Sequence, residues 1–292
     1  MTSELVFFFQ TLVDGLLLSG GYILIAVGLG LIFGVVNYVN VAHAEFSMFA
    51  MYATWLLWIG LGLDPFAALV VTVPVFALVG LLFYISMVRP VRNRDHGVHI
   101  LMTLGLAFIL QNVALLIFSA DVRTVRTDYS ALALNLGGVS INAAKLAAFS
   151  IAIALFAALI AFLNYTRMGR AIRAVSQDES LASAFGVNID RVLAVTVMIA
   201  VALAAAAGTI MMPYLFVQPM VGQFFILFAF VIIVLGGMGN LKGALIAGLV
   251  VGIVEAFGQV YIGGLAGRIL VFSLIIVVLY LRPSGLFGRA SL

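Results

Sequence analysis

The 292-residue sequence contains no cysteine. That absence removes disulfide staples, thiolate nucleophiles and thiolate metal sites at once. Histidine is nearly as scarce: His43, His96 and His99 are the full set, and they share no ligand-like spacing. Charge is thin, with Asp, Glu, Lys and Arg making up 9% of the residues against about 25% in ordinary soluble domains. The phosphate-binding pattern G-x-x-x-x-G-K-[ST] occurs nowhere, so the chain offers no visible means of hydrolysing ATP. The glycine-rich stretch LGGMGNLKGALIAG (Leu235–Gly248) is a tight helix connector instead, its glycines permitting positive φ. A net charge of +3 does not point to nucleic acid. The opening MTSELVFFFQTLVDG carries an acid where a secretory leader carries basic residues, so no cleaved leader is expected.

What is present is hydrocarbon, at 65% of the residues. Water does not hold such a chain as a monomer; a bilayer does, because lipid tails replace the buried core. Spanning helices need about 20 mostly apolar residues. The candidates are 16–36, 46–62, 66–88, 100–118, 143–165, 192–212, 224–236, 244–261 and 269–281, the seventh and ninth being short at 13 residues each. The fold expected is all-α, a single polytopic membrane domain over 1–292 with eight or nine spans.

Lysine and arginine set the orientation. Nine alternating spans gather ten basic residues at one end: Arg89, Arg92, Arg94, Arg167, Arg170, Arg173, Arg191, Lys242, Arg282 and Arg289. The other end receives four: Arg123, Arg126, Lys145 and Arg268. The ten-residue end is therefore assigned to the cytoplasm, with the N-terminus outside and the C-terminus inside. The outer loop 119–142 ends in a Gly137-Gly138 pair and reads as a small hairpin or surface helix. Small residues at i, i+4 spacing, Gly30 and Gly34, Gly243 and Ala247, Gly248 and Gly252, let helix backbones approach closely. GLIFGVVNYVNVAHAEFSMF and GTIMMPYLFVQPMVGQFFIL both run from a helix end through a polar connector to an aromatic helix start. The first connector falls inside and the second outside, as an inverted repeat requires.

Two groups of polar residues stand out. The segment TRMGRAIRAVSQDESLASAFGVNIDR (166–191) is amphipathic and too polar to span. Ile172, Val175, Ala182 and Phe185 form an apolar stripe, while Arg170, Arg173, Gln177 and Asp178 turn away. The run Ser176–Glu179 has a capping-box pattern that starts a second short helix, and Gly186 stops it. The segment either lies on anionic headgroups or docks a cytoplasmic partner. Elsewhere, Asn37, Asn40, His43 and Glu45 crowd the first connector, Gln111 and Asn112 sit mid-helix, and Glu255 and Gln259 lie one turn apart in the eighth span. Polar groups at such depth either satisfy helix ends and neighbouring helices or line a wet path.

The stretches GLGLIFGVVNYVNVAHAEFSMFAMY, TRMGRAIRAVSQDESLASAFGVNIDR, VLGGMGNLKGALIAGLVVGIVEA and the closing LRPSGLFGR together resemble the permease subunits of branched-chain amino acid ABC importers, the LivH-like family. The resemblance runs nearly end to end. It implies a LivM-like sister permease, two cytoplasmic ATPase subunits that carry the ATP and Mg, and a periplasmic or extracellular binding protein, all at a bacterial inner membrane. It also implies that 166–191 couples to the ATPase through an EAA-type pattern. Ala182 and Gly186 match that pattern; Ser180 stands at the usual glutamate position and Glu179 lies one residue early. Gly169, Arg170, Ile172, Arg173, Val175, Asp178, Glu179, Ala182, Phe185 and Gly186 are the coupling candidates. Asn37, Asn40, His43, Glu45, Gln111, Asn112, Glu255 and Gln259 are the path candidates. No cofactor is expected in this chain. Other solutes, such as urea, a short amide or an aromatic acid, fit the same machinery, and a stand-alone ion-coupled carrier is the reading from another class.

Overall fold

The computed structural model of the chain describes residues 3–282, 285 and 287. Most of the closing stretch quoted above, including Arg289, and the C-terminus itself lie outside the described residues. The elements are α1 (Ser3–Val36), α2 (His43–Leu61), α3 (Leu69–Phe83), a π-helical turn (Tyr84–Val88) leading into α4 (Arg89–Val91), α5 (His96–Phe118), α6 (Asp128–Ala131), β1 (Ala133–Leu136), β2 (Val139–Asn142), α7 (Ala143–Tyr165), α8 (Arg167–Gln177), α9 (Glu179–Ala184), α10 (Ile189–Met211), α11 (Val221–Gly236), α12 (Leu241–Tyr261) and α13 (Gly264–Leu281). Among the described residues seven helices are long and apolar enough to cross a membrane, the third of them being the continuous run Leu69–Val91. Val221–Gly236 and Gly267–Leu281 are apolar but shorter. The loop 119–142 holds both forms expected of it: the one-turn helix α6, and an antiparallel hairpin pairing Leu136 with Val139 across a turn in which Gly137 and Gly138 take positive φ.

The centre of the bundle is α1 against α10, whose most apolar stretches are 83% and 78% buried; for α3, α5 and α7 the figures are 28%, 22% and 28%, so these three form the rim. At 34 residues and about 1.5 Å per residue, α1 is about 50 Å long, well beyond the ~30 Å of a hydrocarbon core. It is held along most of its length by small-residue contacts with α12: Gly15 meets Gly252, Ile23 meets Gly248, and beyond the end of α12 Gly34 meets Gly239. The small-residue faces are thus packing surfaces, and the order of these contacts makes α1 and α12 antiparallel.

Contacts between connections sort them to two ends. At one end Tyr129 donates to Asp64 (2.7 Å), Ser130 to the Pro213 carbonyl (2.8 Å), Arg123 and Val217 exchange backbone hydrogen bonds, and Lys145 pairs with Asp14 (2.7 Å). At the other, Arg89 pairs with Asp190 (3.1 Å) and Arg92 with Glu179 (3.0 Å). This is the division that alternating helices require. Burial, and then the Asp64 carboxylate it donates to, push the Tyr129 phenol well above its ordinary range, so its ionisation does not open the clamp on the hairpin end.

Candidate functional site

The connector after α1 turns back into the bundle. Asn37 ends α1 with a positive φ of 53° and its N–H on the Phe33 carbonyl (3.2 Å), a conformation asparagine tolerates. The chain then turns inward. Tyr38 lies against His99 (4.5 Å between ring centres), and the Val41 N–H donates to Thr103 Oγ1 (3.1 Å). His43 packs between Gly28 and α10 at Ala200, the twelfth of its 23 residues. Thus α2 begins halfway through the bundle. Irregular backbone at that depth is tolerated because protein surrounds it and supplies partners.

The connector after α10 bonds to the outer loop at Pro213 and Val217 and then also turns inward, from the opposite end. Residues 212–220 fold back and α11 begins in contact with the first turn of α2: a Cβ added at Gly222 would overlap the Glu45 carboxylate, which would have to move. Helices α1 and α10 run antiparallel, Gly21 beside Met211 and Gly28 beside Ala200. Each leads through an inward-folded connector into a helix that starts in the interior, and the two starts meet. The geometry supports the inverted repeat read from the two connectors. It also explains why the seventh span reads short: α11 has only 16 residues because it starts inside.

Where the two helix starts meet, polar side chains form a chain. Gln111 Nε2 donates to Glu45 Oε1 (2.7 Å), and Gln223 Nε2 donates to Gln111 Oε1 (2.9 Å). Glu45 is 1% exposed, and its Oε2 has no hydrogen-bond partner among the described residues. Neither α2 nor α11 has a side-chain cap at its N-terminus. The carboxylate therefore stands where the positive ends of two helix dipoles converge. Gln111 and Gln223 also line a cavity of about 280 Å³ with Phe108, Asn112, Leu115, Ala120, Gln218, Pro219 and Met220. Asn112 is exposed there, on the outward face of α5, with its amide donating to its own helix at Phe108 (2.7 Å).

The eight path candidates fall into separate groups. Glu45 and Gln111 meet, and Asn112 adjoins them. Asn40 and His43 are fully buried beneath α2, their side-chain nitrogen and oxygen atoms unpartnered among the described residues. Asn37 is an exposed helix stop. Glu255 and Gln259 pair with each other (2.8 Å) in α12, which packs on α1, α11 and α13 away from the rim face of α5. Near Glu255 stands Arg268, whose guanidinium lies over the Phe224 ring (4.2 Å). The sequence places Arg268 in an outer loop; it sits instead in the first turns of α13. Gln218 and Gln223 were visible in the second connector as its polar residues, but only the meeting of α2 and α11 makes them part of the site. Thr72 and Thr54, which meet Thr209 at 2.9 and 3.2 Å, form a separate buried polar contact between α2, α3 and α10.

The segment 166–191 forms two helices outside the bundle. Thr166 caps α8 at the Gly169 N–H (2.9 Å), and Gly169 is buried so tightly on the end of α7 that a Cβ would overlap the Phe162 carbonyl. Ile172, Val175 and Ala182 are buried, as the stripe requires. Phe185 is not: it is 87% exposed. The helix breaks at Asp178 (φ −158°, ψ 108°), so spacing counted across that residue loses its helical meaning. Asp178, not Ser176, caps α9, accepting from the Leu181 N–H (2.9 Å), while Ser176 donates back to the Arg173 carbonyl (2.8 Å). Gly186 ends α9 at φ 82°, with Val187 N–H on the Ala182 carbonyl (3.1 Å). Of the charges turned away from the stripe, Glu179 is held by Arg92, Arg173 donates to Asn164 (3.1 Å) and Arg170 to the Tyr165 carbonyl (3.4 Å). What remains unsatisfied in water is apolar: Phe185 and Leu181, the latter 59% exposed.

Comparison with known proteins agrees with this architecture. The family described as "Branched-chain amino acid transport system / permease component" matches residues 11–279. The high-affinity branched-chain amino acid transport system permease protein LivH of Escherichia coli K12 is 33% identical over 302 aligned residues, covering 99% of this chain and 98% of that protein. BraD of Pseudomonas aeruginosa, which bears the same description, is 30% identical over 98% of this chain and 97% of its own length. A probable LivH of Methanocaldococcus jannaschii is 26% identical over 91% and 88%. No solved structure matches the chain. An all-α bundle that crosses the membrane repeatedly, matched over nearly its whole length, belongs to the family of branched-chain amino acid transport system permease components.

Proposed function

We propose that this chain is the membrane-spanning subunit of an ATP-driven importer of branched-chain or related amino acids, working with a sister permease, two cytoplasmic ATPases and an external binding protein. The single observation that carries the reading is the near full-length match to transport permeases. The geometry is consistent with it in three ways. Interior helix starts with buried polar groups are how transporters line a solute path with irregular backbone. The rim helix α5 carries Asn112 on an exposed face beside Phe108, Ile109 and Leu116, and such an amide is misplaced against lipid but suited to a wet seam shared with a second permease. The end that holds α8 and α9 is the one to which alternating spans assign ten of the 14 basic residues, which supports reading it as cytoplasmic and the N-terminus as outside.

Mechanism follows from these contacts. A free amino acid is a zwitterion, and taking it bare through hydrocarbon is prohibitive. The path must therefore be polar and opened only in part at any time. Helices α8 and α9 pack on α1, α7 and α10, and Arg92 ties α9 to the connection before α5. A push on α8–α9 from a closing ATPase pair is passed to the central helices and to the rim helix together. ATP and Mg belong to the partners in this scheme; this chain supplies the gate and the lever.

The test is reconstitution in vesicles. The complete assembly with its binding protein should accumulate radiolabelled leucine only when ATP is enclosed with the ATPases, and this chain alone should accumulate none. Uphill uptake by the chain alone would sink the proposal. The ligand of the cognate binding protein decides between branched-chain amino acids and another small polar solute.

A further inference from the structure

We infer that the cavity between α5 and the start of α11 is a transient receptor for the free zwitterion, with Gln223, Gln218 and Asn112 as contact residues and Glu45 as the residue that positions Gln111. The inference rests on the transport reading above and assigns the place where this chain itself touches solute.

Three observations lead to it. The volume, about 280 Å³, lies just below the ~300–1,000 Å³ of sites for drug-sized ligands, a size for one small solute. Its polar lining is four side-chain amides, Gln111, Asn112, Gln218 and Gln223, with no charged side chain among the lining residues. Amides offer donors and acceptors side by side, which is what a carboxylate and an ammonium on one carbon need. The remaining wall is apolar, with Phe108, Leu115, Pro219 and Met220, and suits an aliphatic side chain.

Glu45 acts through its neighbour. Its Oε1 holds Gln111 by the amide nitrogen, so the Gln111 oxygen faces Gln223 and the cavity. Its Oε2 is buried and unpartnered among the described residues, and Glu45 is not part of the cavity wall, so it acts on the cavity only through Gln111. Neutral amides at the surface and one carboxylate behind them make contacts weak enough for release, as a carrier that receives solute from a binding protein requires.

The experiment uses the complete reconstituted assembly, with binding protein saturated by radiolabelled leucine or alanine. Gln223→Leu and Asn112→Leu should each lower leucine uptake by about tenfold, the loss of one well-made hydrogen bond, while ATP hydrolysis stimulated by the binding protein stays within about twofold of the unaltered assembly. Among the described residues Asn112 bonds to its own helix at Phe108, so its replacement should leave folding intact even where Gln223→Leu does not. Phe108→Ala should change the ratio of leucine to alanine uptake, because it removes the largest apolar wall. Unchanged uptake and an unchanged ratio in all three overturn the receptor. A parallel tenfold fall in ATP hydrolysis assigns these side chains to the switching machinery and overturns it too. If the unaltered assembly imports neither probe, the transport reading falls and the receptor falls with it.

Discussion

Phe185→Ala separates docking from folding more cleanly than any other single change. The ring is 87% exposed at the tip of α9, next to Leu181, while the carboxylates of that helix start are engaged, Glu179 by Arg92 and Asp178 by the Leu181 N–H. Covering a phenylalanine removes about 150 Å² or more from water, worth ~3–4 kcal/mol at about 25 cal/mol per Å². Association recovers only part of such a sum, because side chains are ordered and polar neighbours are imperfectly paired. A loss of about 2 kcal/mol is the working figure, or about thirtyfold in affinity. The chain itself loses nothing, since the ring makes no buried contact, and its melting temperature in detergent should stay within about 1 °C. The measurement is titration of purified ATPase subunits onto the detergent-solubilised permease pair, read by surface-immobilised binding. An affinity within twofold of the unaltered chain, with Leu181→Ala equally silent, refutes the claim that exposed apolar side chains, rather than the charges of α8 and α9, carry the docking.

Three further outcomes are expected. Gly222→Ala drives a methyl into the Glu45 carboxylate and should destabilise the protein by about 1–3 kcal/mol, seen as a lower thermal midpoint, whereas Gly60→Ala, at a position with open space, should not. Glu255→Gln keeps the bond to Gln259 within reach and should reduce leucine uptake by less than about tenfold; complete loss with normal assembly would bring Glu255 into the transport cycle. In intact cells Asn93→Cys, exposed beside Arg92, should react with membrane-permeant thiol reagents only, and labelling by an impermeant reagent would invert the orientation.

The membrane character, the nine apolar stretches and the two ends were legible in the sequence because hydrocarbon length and basic residues are local properties. The hairpin was legible in Gly137 and Gly138. The interior starts of α2 and α11 were not, because nothing local distinguishes a connector at the surface from one folded inward; only Thr103, His99 and Gly28, distant in the chain, show where residues 37–43 lie. Glu45 and Gln111 were noted separately for being polar, and their pairing depends on contacts between helices 66 residues apart. Phe185 was misplaced on the buried stripe because a periodic count runs straight through Asp178, where the backbone does not.

The encounter of α2 with α11 also sets how thick the closed barrier is. Two helices that meet at their interior starts oppose passage over a short depth, so no full-length tube has to dilate. With 16 residues, α11 is a rod about 24 Å long, and pivoting it by about ten degrees at its far end would carry its tip sideways by roughly 4 Å, the width of a small solute's backbone. A modest tilt imposed from the nucleotide side is mechanically sufficient to break such a thin seal, and a mutation that shortens the rod or slackens its pivot should leak.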